Sequence, residues 1–116
     1  MSVVRFGVIV VALTAGCSRS EAASAPDGAG LYSAACAKCH GAAGEGGAAL
    51  WDGGPAPPSF RDGAVLRGRP DADLLATVRA GKGVGMPAFG GTLNDEQITA
   101  VVRYARTLEK NRGKVP

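Results

Sequence analysis

Cys36-Ala37-Lys38-Cys39-His40 sets two thiols and an imidazole at positions i, i+3 and i+4. On a helix those positions share one face. Each thiol can then form a thioether with one of the two vinyl groups of a haem, while the imidazole points at the iron. C-x-x-C-H is the attachment signature of c-type haem. Paired cysteines serve two other chemistries. A tetrahedral zinc site needs four ligands, yet His40 is the one histidine in the chain and the third cysteine, Cys17, is claimed by the leader. A dithiol redox motif opens a helix within a βαβ pattern, and the sequence shows no alternation of strand and helix. The motif therefore points to covalent haem c, with His40 as an axial ligand of its iron.

An iron held by His40 has a sixth position to fill. The chain has two methionines, and Met1 leaves with the leader. Met86 remains, in Gly81-Lys82-Gly83-Val84-Gly85-Met86-Pro87-Ala88-Phe89-Gly90. A lone methionine is usually core filler. This one lies between Gly85 and Pro87, in a glycine-rich stretch without helical periodicity, where backbone can approach a flat ring closely. Met86 is thus the candidate second axial ligand; a thioether there favours reduced iron.

Three helical segments must position these groups. The first spans roughly 29–38, with Leu31, Tyr32, Ala35 and Cys36 at helical spacing. The second follows Pro70: Asp71 and Asp73 favour its positive end, Leu74, Leu75 and Val78 form its apolar face, and Gly81 can stop it. The third opens on Asn94 with Gln97 three residues on, a capping box, and Leu93 with Ile98 as a staple. Ile98, Val101, Val102, Ala105 and Leu108 form its apolar stripe. Between the first two helices, 41–69 is rich in glycine and proline. A loop of that length in a compact domain is normally functional; here it would wrap a cofactor.

Composition agrees with that need. The chain of 116 residues has 18 Gly but only three Phe, two Tyr and one Trp, so few large side chains can build a core. The formal charge of +3, without a dense basic run, excludes nucleic acid as a partner. The start has a different character. Arg5 precedes an apolar run from Phe6 to Ala15, too short for a bilayer-spanning helix of about 20 residues but suited to a secretory signal. Leu13-Thr14-Ala15-Gly16-Cys17 resembles the bacterial lipoprotein signal, with Thr14 where its leucine usually stands. Ordinary cleavage near Ala23-Ser24-Ala25 competes with it. The preferred division is a lipoprotein-type signal peptide at 1–16, lipidation of Cys17, a tether at 17–27, a monohaem domain at 28–110 and a flexible tail at 111–116.

From Gly28 to about Leu108 the chain resembles a small bacterial class I c-type cytochrome, with its motifs in the family's order: a first helix leading into C-x-x-C-H, a proline loop, a Met-Pro loop and a closing helix. The resemblance implies an all-α domain wrapped around one haem. It implies that a proline carbonyl, here that of Pro58 in Pro57-Pro58-Ser59-Phe60, accepts a hydrogen bond from the axial histidine's other ring nitrogen. It also implies a crossing of first and last helices through Gly28, Tyr32, Val101 and Tyr104. Phe60 and Phe89 are expected to pack on the macrocycle. Trp51 has two readings, a hydrogen-bond donor to a propionate or, preferred, a loop anchor against the haem edge.

The expected function is single-electron transfer in an exported respiratory or photosynthetic chain. The domain would be a monomer on the periplasmic side, lipid-anchored through Cys17, meeting redox donor and acceptor proteins transiently, with Arg79 and Lys82 bordering the haem edge. No residue is expected to be catalytic. The alternatives are a haem-bearing subunit of a larger oxidase or dehydrogenase, and a peroxidase-like enzyme with an open iron.

Overall fold

A computed structural model of the chain describes residues 24–110. The candidate signal peptide, Cys17 with most of the tether, and the tail at 111–116 lie outside the described residues. The elements are α1 (Gly28–Ala35), α2 (Ala37–His40), α3 (Asp71–Ala80) and α4 (Asp95–Lys110). Among the described residues the sole β pairing is an isolated bridge between Lys82 and Met86. The fold is all-α, as the sequence implies.

Local chemistry sets each boundary. Asp27 caps α1, its Oδ1 accepting from the Gly30 amide at 3.1 Å. The predicted first helix appears as two pieces that meet at Cys36, whose φ of −118° departs from helical geometry. Hydrogen bonds bridge the break: Cys36 N–H donates to Tyr32 O at 2.8 Å, and His40 N–H to Cys36 O at 2.9 Å. The chain therefore stays helical through His40, two residues beyond the expected end. Pro70, extended at ψ 155°, precedes α3, and Asp71 and Asp73 occupy its first turn. The capping box of α4 is reciprocal: Gln97 N–H donates to Asn94 Oδ1 and Asn94 N–H to Gln97 Oε1, both at 2.9 Å.

The core lies along α4. Ile98, Val101, Val102, Ala105 and Leu108 are all buried on its inner face. On one side α4 meets α1, where Gly28 lies directly on the Ala100 backbone and Tyr32 packs on Tyr104 with ring centroids 5.2 Å apart. On the other, Val102 packs with Leu66 and Leu74, flanked by Phe60, Val65, Leu75 and Val78. Arg106 ties α4 to the start of α3 and the residues before it: its Nε donates to Asp71 Oδ1 at 2.6 Å and its Nη2 to Arg69 O at 2.6 Å. Tyr32 and Ile98 are the largest side chains fully removed from solvent. That is a thin core for a domain of this size.

The α1–α4 crossing yields a direct prediction. A Cβ on Gly28 would run into the Ala100 carbonyl oxygen and lie 2.8 Å from its carbon. Backbone cannot rotate away as a side chain can, so Gly28→Ala must push the helices apart. Overpacking of this kind costs about 1–3 kcal/mol. A lower urea midpoint of the haem-loaded protein, with an unchanged visible spectrum, is the expected outcome. An unchanged midpoint would show that the crossing has slack.

Candidate cofactor site

α2, the loop at 50–60, the Met86 hairpin and the inner face of α4 line one apolar, partly open cavity of about 540 Å³. Ligand pockets span about 300–1,000 Å³. Cys36, Cys39, His40 and Met86 all line it, as do Pro58, Phe60 and Phe89. The thiols and imidazole come from the break after α1 and from α2. Burial pushes the Cys36 thiol up from its ordinary range, with neighbouring Cys39 adding to the shift. Neither cysteine is in a disulfide.

His40 is fixed by its outer nitrogen. Nδ1 lies 3.2 Å from Pro58 O. A carbonyl can only accept, so in this contact Nδ1 carries the proton and Nε2 keeps its lone pair free. Phe60 lies parallel on the imidazole, centroids 4.6 Å apart with 19° between planes. Its ring thus lines the cavity but stacks on the histidine, where packing on the macrocycle was the expectation. The loop folds back to make this possible: Phe60 N–H donates to Gly44 O at 2.7 Å and Gly47 N–H to Pro57 O at 3.1 Å. Gly46, at φ +87°, allows the return, since a Cβ there would stand 3.0 Å from Pro57 O and from Ser59 N. Tyr32 closes the layer behind, its hydroxyl donating to Gly41 O at 2.7 Å. Burial, with smaller contributions from nearby acidic groups, pushes that hydroxyl up to about 12, so it stays a neutral donor.

Met86 stands at the base of a small hairpin. Lys82 N–H donates to Met86 O at 3.0 Å and Met86 N–H to Lys82 O at 3.2 Å. Gly81, at φ +77°, brings the end of α3 within 2.6 Å of Met86 O, measured from where its Cβ would be. Phe89 N–H donates to Val78 O at 3.0 Å, fixing the far side of the loop. The methionine is therefore held by backbone on both sides and faces the cavity.

Two expectations for nearby residues are placed differently. Trp51 is absent from the cavity lining and 47% exposed. A tight turn, with Leu50 N–H on Pro55 O and Gly54 N–H on Trp51 O, lays its indole over Gly54. Leu50 and Pro55 line the cavity instead, and lean on Gly85 of the hairpin. Arg79 is bound to Asp95 at 2.7 Å, a surface ion pair between α3 and α4, and only Lys82 of the two cations reaches the cavity wall. Arg69 also lines the cavity and was not among the expected residues. Nothing in the sequence separates it from a solvated arginine.

The donor set and cavity fit haem c and not a bare ion. Among the described residues no three of His, Cys, Asp and Glu are grouped so as to hold a metal. What converges is two thiols, one imidazole and one thioether around an apolar space. No helix among the described residues is long and apolar enough to cross a membrane.

Comparison with known proteins agrees. Residues 23–104 match the family model described as cytochrome C oxidase, cbb3-type, subunit III. The chain is 33% identical over 93 residues to the Cbb3-type cytochrome c oxidase subunit FixP of Azorhizobium caulinodans, covering 80% of this chain but 30% of that protein. It is 38% identical over 79 residues to cytochrome c6 of Microcystis aeruginosa, covering 67% of this chain and 89% of that one. The chain thus spans under a third of the first relative and most of the second. A helical domain with these motifs, matched to that family over most of its described length, serves haem electron transfer. The chain belongs to the cbb3-type subunit III cytochrome family and is a class I c-type cytochrome with covalently bound haem c.

Proposed function

We propose that the chain is a single-electron carrier in which Cys36 and Cys39 hold the haem and His40 and Met86 ligate its iron. The observation that carries this reading is that residues from α2 and from the distant Met86 hairpin line one apolar cavity. Cys36 and Cys39 would hold the haem through thioethers, each S–H adding across one vinyl group, so attachment would need no oxidant. When bound, the haem iron supplies a one-electron ferric/ferrous couple.

The chain's own residues set how that couple behaves. His40 and Met86 would together hold the iron of the bound haem, leaving no place on it for substrate. Pro58 O, accepting from Nδ1–H, orients the imidazole and raises its basicity. Phe60, Phe89, Leu50 and Val101 keep water out, and the low dielectric favours the form of lower charge. Redox proteins dock only briefly on such carriers, through small interfaces. The chain is read as exported, acting on the periplasmic side as a monomer anchored by lipid at Cys17. A second reading, favoured by the match to an oxidase subunit, is a haem-bearing part of a larger complex.

The test is an absorption spectrum of the full chain made in a haem-attaching host. The carrier reading expects haem that survives acid–organic extraction and, in the ferric protein, the weak far-red band of a Met–Fe(III) bond. Covalent haem without that band would leave an open iron and defeat the reading. Pull-down from solubilised membranes separates carrier from subunit, since only a subunit co-purifies stoichiometrically with its complex.

A further inference from the structure

His40 stands at the end of an aromatic column that starts on α4. Tyr104 packs on Tyr32 of α1 with ring centroids 5.2 Å apart, and Tyr32 meets Phe60 edge-on at 6.4 Å. Phe60 in turn lies nearly parallel on the imidazole at 4.6 Å. Each ring is held from behind. Tyr32 is buried, and its hydroxyl donates to Gly41 O, one residue after His40. The Phe60 amide donates to Gly44 O at 2.7 Å, and its side chain packs against the cluster of Leu66, Leu74 and Val102. Gly44 itself lies between Phe60 and Leu108 of α4. The ring on the imidazole is therefore tied to both α1 and α4.

The hydrogen bond to Pro58 does not fix the imidazole plane by itself. It is long, at 3.2 Å, and such bonds tolerate bends of about 30°. A flat ring at 4.6 Å, with 19° between planes, is a stricter restraint. Any turn of the imidazole out of its present plane tips one edge into that ring. Aromatic pairs of this kind favour one arrangement by roughly two- to tenfold beyond what their buried area gives. An aliphatic side chain would fill the same space without a face to stack on. We propose that Phe60 is a positioning residue for the axial histidine: backed by Tyr32 and Tyr104, its ring sets the plane in which the His40 imidazole meets the haem iron. This inference rests on His40 ligating haem as proposed above.

A fixed plane suits a carrier, because the ligand then has little to rearrange when the iron changes charge. It also leaves a signature. In ferric haem with two strong axial ligands, the half-filled iron orbital follows the planes of those ligands, and unpaired spin reaches the four ring methyl groups accordingly. One imidazole plane gives a wide spread of the methyl proton shifts. A ring that turns between orientations averages them toward one another.

The experiment records proton NMR spectra of the ferric, haem-loaded full chain with Phe60→Leu, Phe60→Met and Phe60→Tyr, alongside covalent haem content and the far-red Met–Fe(III) band. Phe60→Leu is expected to keep both the haem and the band, while turned orientations of the imidazole gain roughly two- to tenfold in population and the methyl spread narrows. Phe60→Tyr keeps a flat ring and should restore the wild-type spread. Phe60→Met adapts to irregular space and carries the test if the leucine variant fails to fold. Aliphatic variants with full covalent haem, the far-red band and the wild-type spread would overturn the Phe60 assignment alone. A tyrosine variant as narrow as the leucine one would do the same, since packing and not stacking would then be what matters. A wild-type chain without covalent haem would overturn the haem placement and this inference with it.

Discussion

Replacing Cys36 and Cys39 together with serine should leave the chain with no covalent haem, so that all colour passes into the organic phase on acid–organic extraction. Serine keeps the shape of the turn and removes only the sulfurs. Each single variant should retain one thioether and therefore colour that stays with the protein. The second consequence is structural. Without haem the apolar lining of this partly open cavity faces water, so the burial that the cofactor provides is lost. Domains are stable by only about 5–15 kcal/mol, so a loss of that kind is large beside the whole. With Tyr32 and Ile98 as the main fully buried side chains, the polypeptide cannot make up the difference. The double variant should lose far-UV helical signal once its unattached haem is removed, whereas wild type cannot be stripped. Protein-bound colour in the double variant after extraction would refute the attachment.

This dependence on the cofactor also explains which parts of the fold the sequence could reveal. α3 and α4 carry their own instructions in a few adjacent residues: Pro70 with Asp71 and Asp73, the Asn94–Gln97 pair, and a stripe from Ile98 to Leu108. C-x-x-C-H is equally local, and so was readable. The break at Cys36 was not, because nothing in residue type there disfavours a continuous helix. The course of 41–69 was not readable either. It is set by contacts between distant residues, such as Phe60 N–H on Gly44 O and Gly47 N–H on Pro57 O, and glycine-rich backbone has no periodicity to read. Trp51 was expected as a loop anchor against the haem edge; the turn at Leu50–Pro55 decides which neighbour lines the cavity, and it places Leu50 there. Arg69 is the same lesson for charge, since its place depends on Thr77 and Arg106, both remote in sequence.

Met86→Ala is the second large effect. The haem should stay covalently attached, since the sulfurs and His40 are untouched, while the weak far-red band of the ferric protein vanishes. Water or an added small ligand such as cyanide then gains access to the iron, because the methionine side chain no longer fills its part of the wall. The midpoint potential should fall by a sizeable share of the roughly 0.8 V range that axial ligation controls, because a thioether prefers ferrous iron and its replacement by water removes that preference. Loss of the buried part of the side chain adds destabilisation of about 2–5 kcal/mol. The hairpin itself should survive, since its Lys82–Met86 bonds are made by backbone. Met86→His separates ligation from packing: it restores a six-coordinate spectrum while keeping the potential low. An alanine variant whose potential and cyanide binding match those of a wild type that itself lacks the far-red band would mean that Met86 is wall and not ligand, and the open-iron enzyme would then become the better account of the chain.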